Sequence, residues 1–119
     1  MNLRYEEITK VSFEELQRAL KESDGKVVSK MLINYIHNES ERLLSESACI
    51  DVFNSNDVDV KATALLCLGH IARLHGELSE DVALKLLKEA KNFKELSGRL
   101  EDVISDIAVY TGKNYTAEI

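Results

Sequence analysis

Residues 57–76, DVDVKATALLCLGHIARLHG, decide the fold. Val60, Ala64, Leu65, Leu68, Ile71, Ala72 and Leu74 recur at helical spacing, so one stripe of the segment is apolar. The polar break before it, Asn54-Ser55-Asn56-Asp57, favours turns and helix caps. Gly76 suits the left-handed position that ends a helix. The pattern predicts one packed helix carrying a histidine, His70, on the side away from its apolar stripe, together with Thr63 and Arg73.

The same reading extends in both directions. Ser12-Phe13-Glu14-Glu15 is a capping box, followed by Leu16 and Leu20 on one face. After Asp24-Gly25, the residues Val27, Val28, Met31, Leu32, Tyr35 and Ile36 stripe a second helix that ends near Asn38. Ser40 is the expected cap of a third helix, with Leu43, Leu44, Ala48, Val52 and Phe53 inward. Ser79 caps a fifth, with Val82, Ala83, Leu86, Leu87 and Ala90 inward and Lys85, Lys88 and Lys91 outward. A sixth runs from about Glu95 to Tyr110, with Leu96, Leu100, Val103, Ile104 and Ile107 inward, and Gly112 stops it. Short connections make neighbouring helices antiparallel hairpins, roughly 12–38, 40–76 and 79–112, within one domain spanning 1–119. Residues 113–119 read as a loose tail.

Composition agrees with an all-α class. The chain has no proline and only five glycines among 119 residues, too few turn formers for a β-rich fold of this length. Cys49 and Cys67 lie in apolar stretches without CxxC spacing, as reduced core thiols do, although their separation in space is open. The charged opening Met1–Glu7 lacks the apolar core of a secretory signal, and no run of about 18 apolar residues is present. The expectation is a cytoplasmic protein with no membrane contact. A net charge of −6 argues against direct nucleic-acid binding and suits a basic protein partner.

Sliding the chain by 36 residues sets Gly76 on Gly112, Ala72 on Ala108, Ile71 on Ile107 and Leu68 on Ile104. A helix-pair period of this size marks α-solenoid repeats. Asp57-x-x-Val60-Lys61-x-x-Ala64-x-x-x-Leu68-Gly69-x-Ile71 resembles the second helix of a HEAT-type repeat. LGHIARLHGEL (68–78) with LSGRLEDVISDI (96–107) resembles small bacterial HEAT-like proteins, several of which are immunity proteins of contact-dependent growth inhibition and other polymorphic toxin systems. The resemblance covers about half the chain, residues 57–112. It implies a short HEAT-like α-solenoid whose second helices line one surface.

On that surface His70 and Arg73 stand beside Glu95, Asp102 and Asp106, with Arg99 between them and Glu101 flanking. Asn34 and Asn38 extend it to the second helix, where Tyr35 also fits the core. These residues are the expected partner contacts, against the plainer reading of a solvated face. Chemistry is a poorer fit. His70 and His75 are five apart, on different sides of a helix, and neither HExxH nor a Walker loop occurs, so no metal, cofactor or catalytic residue is expected. Gly69 and Gly98, inside helices, are expected to allow close helix approach.

The resemblance implies a non-enzymatic immunity protein binding a cognate toxin's C-terminal domain. Such toxins are commonly nucleases with a basic cleft that an acidic surface can mask. A monomer in a one-to-one complex is the expected form. The alternative is a HEAT-like scaffold or adaptor without a toxin partner. A helical-repeat DNA glycosylase needs a basic face, which 21 acids against 15 bases oppose.

Overall fold

The computed structural model describes residues 10–119, and Met1–Glu7 therefore lies outside the described residues. Six α-helices and no strand occur among them: α1 (Phe13–Glu22), α2 (Gly25–Asn38), α3 (Arg42–Phe53), α4 (Val58–His75), α5 (Glu80–Ala90) and α6 (Ser97–Thr111). The fold is all-α.

Local chemistry sets most helix ends. The Ser12 hydroxyl accepts from the Glu15 amide while the Glu15 carboxylate accepts from the Ser12 amide, closing the capping box of α1. Asp24 and Asp57 cap α2 and α4 one way only, their carboxylates accepting from the Val27 amide and from the Asp59 and Val60 amides. Gly76 and Gly112 take left-handed φ values of 70° and 82°, which L side chains rarely adopt. The third helix departs from expectation: its cap is Glu41 rather than Ser40, without a side-chain bond.

Helix α4 is the centre, packing against α2, α3 and α6 at once. That explains why Ala64, Leu65, Cys67, Leu68, Ile71 and Ala72 are all fully enclosed. Each large apolar side chain so buried stabilises by roughly 2 kcal/mol. Helices α2, α4 and α6 lie side by side and run in the same direction. Gly25 meets Asp57 at one end of the α2–α4 contact, and His37 meets Arg73 at the other. Likewise Lys61 at the start of α4 lies over the Phe93 ring just before α6, while Lys113 beyond α6 reaches Glu80 beyond α4. On the other side α3 packs against α5, and Gln17 of α1 donates to Asp51 of α3 at 2.7 Å. Helix α6 lies chiefly on α4 and touches α5 more lightly, so its main partner is not the helix before it in sequence.

Several expected positions move. Leu43 and Leu44 face outward, and Leu43 is 61% exposed. Ser45, Glu46 and Cys49 take the inward places on α3. The Glu46 carboxylate, 2% exposed, accepts from Arg42 Nη1 at 2.6 Å and from the Ser79 amide at 2.9 Å, which ties α3 to the start of α5. Ser79 also accepts from Arg42, so its hydroxyl serves this network instead of capping α5. Leu74 and Val27 are exposed. The expected loose tail is anchored: Tyr115 is buried, Lys113 pairs with Glu80 and Glu118, and Lys91 donates to the Ile119 carbonyl. Glu95 lies in a 3-10 turn, Lys94–Leu96, ahead of α6.

Candidate functional site

The close approach of α4 and α6 depends on Gly69. A Cβ there would meet the Asp106 carboxylate at 3.2 Å and Val103 at 3.6 Å, so the missing side chain lets α6 lie against α4 with Asp106 beside it. Gly98 differs, since nothing lies within 4 Å of its Cβ position and close packing does not explain it.

With Gly69 between them, His70 and Asp106 become neighbours. From the other side α2 brings His37, whose ring centroid lies 5.0 Å from that of His70. The His37 Nδ1–H donates to the Ile33 carbonyl at 2.9 Å, which in the neutral ring leaves the Nε2 lone pair to face Arg73 at 3.5 Å. His37, His70, Arg73 and Asp106 thus form one cluster across three helices. His37, Arg73 and Asp106 are exposed, and His70 is half-buried.

The electrostatics of His70 record this environment. Burial pushes its pKa below the usual 6.5, the neighbouring His37 and Arg73 push the same way, and Asp106 pulls weakly against them. His70 is therefore the neutral centre of a surface with a cation on one side and a carboxylate on the other.

The sequence-derived residues divide into groups. His70, Arg73 and Asp106 meet, and Asp102 and Arg99 continue the exposed side of α6 one and two turns back. Glu101 instead lines a shallow groove with Ile104, Ser105, Ala108 and residues of the C-terminal segment. Glu95 precedes the helix altogether. Asn34 accepts from the Val11 amide at 3.0 Å, and Asn38 donates to the Asn34 carbonyl at 2.9 Å. Tyr35 is buried and donates to Glu39 at 2.9 Å; burial and that carboxylate push its phenol far up. His37 is the member that the sequence reading missed. Its one signal was position: it stands 36 residues before Arg73, one repeat away.

Other reactive groups are shut in. Both cysteines are free thiols in the core, and burial pushes Cys67 up to about 12 and Cys49 well above its ordinary value, so neither is a thiolate at neutral pH. Lys61 donates to the Phe53 carbonyl at 2.8 Å and lies 4.5 and 4.8 Å over the Phe53 and Phe93 rings, a structural use of its charge. Among the described residues no group of three or more His, Cys, Asp or Glu is placed to hold a metal ion, and no helix is long and apolar enough to cross a membrane.

No family profile, curated protein or solved structure matches the chain.

Proposed function

We propose that this chain is a non-catalytic binding protein of HEAT-like build, and specifically an immunity protein that neutralises a cognate bacterial toxin in the cytoplasm. Its face of α2, α4 and α6 would cover the basic substrate-binding surface of a nuclease toxin domain in a one-to-one complex. The observation that carries the reading is the charge left open there: Arg73, Asp102 and Asp106 are exposed and make no ion pair among the described residues. The helices that carry these charges are already packed, so their backbone needs no ordering when a partner arrives, and the charges steer its approach. The net charge of −6 adds a long-range attraction for a basic partner.

Acid–base catalysis is a weaker reading of the same cluster. A general base works in a desolvated pocket with a partner that orients it, whereas His70 sits on an open helical face with an arginine and a second histidine beside it.

The test is co-expression with the product of the adjacent open reading frame, the proposed toxin partner. Recovery of an equimolar complex, and rescue of growth from that toxin, would support the proposal. Failure to bind or to rescue would overturn the immunity reading and leave a scaffold without a toxin partner.

A further inference from the structure

Of the three histidines in the chain, two meet across a helix junction. His37 in the last turn of α2 and His70 on α4 bring their ring centroids to 5.0 Å, with the ring planes at 58°. The backbone beneath both rings is fixed, because α2 packs on α4 and the sequence neighbours Ile36 and Ile71 are fully buried.

We propose that this pair binds a divalent transition-metal ion of the zinc class, one nitrogen from each ring. Two imidazoles that hold one tetrahedral ion at about 2.0–2.1 Å keep their centroids roughly 5 Å apart. The observed separation already has that value. His37 is also set up as a ligand. Its Nδ1–H donates to the Ile33 carbonyl at 2.9 Å, which leaves the Nε2 lone pair outward in the neutral ring. Histidines that ligate metals ordinarily give their other N–H to a carbonyl or carboxylate in this way. His70 makes no hydrogen bond among the described residues, so either of its nitrogens can turn to the same point. Its neutral form, which burial favours, is the form that carries a lone pair.

Two features limit the strength of the site. Arg73 Nη2 faces the His37 Nε2 at 3.5 Å, which is long for a hydrogen bond, and its side chain is exposed, so an arriving ion can displace it. The guanidinium charge still repels the ion, and Asp106 on the α6 side of His70 offsets part of that repulsion. No third His, Cys, Asp or Glu is placed with the pair among the described residues, so water completes the coordination. The site is accordingly weaker than a zinc centre with three or four protein ligands. Imidazole selects zinc, nickel or copper ions over magnesium, which takes oxygen ligands. The pair lies on the face proposed above for the partner, but its metal chemistry does not rest on that reading.

Titration of Zn²⁺ alone into the full chain, followed by calorimetry and by the histidine ring signals in NMR, tests the proposal. One ion binds, and the signals of His37 and His70 move together while those of His75 stay in place. His37→Ala and His70→Ala each lower the affinity about tenfold or more. Arg73→Ala raises it about threefold, because the opposing charge is gone. Mg²⁺ at the same concentration moves neither ring signal. Melting temperatures near wild type show that the variants fold. No movement of either ring, movement of one ring alone, equal affinity in a histidine variant, weaker binding by Arg73→Ala or a matching response to Mg²⁺ overturns the proposal. None of these results bears on partner binding, which the co-expression experiment decides separately.

Discussion

Two arginines of this chain have opposite fates. Arg42 reaches into the junction of α3 and α5, where it bonds the buried Glu46 carboxylate and the Ser79 hydroxyl and approaches Glu77 at 3.7 Å. Arg73 stands on the open face of α4, where its polar neighbour is the ring of His37 and the carboxylates of α6 remain unpaired among the described residues. The first set of charges is consumed in holding helices together. The second makes no ion pair among the described residues, and it is the set that the proposed function assigns to a partner.

The largest effect should come from breaking the closed set. Glu46→Ala leaves the Arg42 guanidinium and the Ser79 amide without their shared acceptor in a half-buried junction, and should cost about 3 kcal/mol. Urea unfolding measures it, and a loss below about 1 kcal/mol would mean that water replaces the carboxylate readily. By contrast Arg73→Ala, on the open face, should change stability by less than about 0.5 kcal/mol.

A smaller pair of effects separates the glycines. Gly25→Ala would place a Cβ 2.6 Å from the Asp57 carboxylate and 2.8 Å from Val60, whose side chain is buried, and should destabilise by about 1–2 kcal/mol. Gly98→Ala meets nothing and should stabilise α6 by up to about 1 kcal/mol. Thermal melts of the two variants should therefore shift in opposite directions.

The smallest effect is a pH dependence centred on His70. Its folded value lies below the unfolded value near 6.5, so as pH falls the unfolded chain takes up the proton first. The contribution is neutral well above 6.5, grows unfavourable as pH falls below it, and levels off under the depressed folded value. His70→Gln should flatten the decline in urea midpoint across that window. An unchanged slope would assign the acid loss to other groups.

Much of the fold was legible because it rests on local chemistry. The capping box at Ser12, the glycine stops at 76 and 112, and the apolar stripe of α4 are each readable within a few residues. Helix α3 was not, because a glutamate is ordinarily read as solvent-facing. The Glu46 carboxylate is buried where Arg42, one turn before it, and the distant Ser79 amide both donate to it, and Leu43 and Leu44 are left outside. The anchored tail was hidden for a related reason: the burial of Tyr115 is a property of the assembled fold that its own short segment does not display. For the candidate site, the placing of His70, Arg73 and Asp106 on one surface was legible from the 36-residue offset between the two apolar stripes. His37 was not, since nothing on its own helix marks it and its neighbours lie on α4. Asn34 and Asn38 were assigned to the shared face by position alone; Asn34 accepts from the Val11 amide ahead of α1, and Asn38 donates to the Asn34 carbonyl within α2.

The central claim is that the open charges on the α4–α6 face serve adhesion and not the fold. Calorimetric titration of the proposed partner, the product of the adjacent open reading frame, into wild type and into the double variant Asp102→Lys, Asp106→Lys tests it most directly. The account predicts at least about a tenfold loss of affinity for the variant with an unchanged melting temperature. Equal affinity for the two proteins would contradict it.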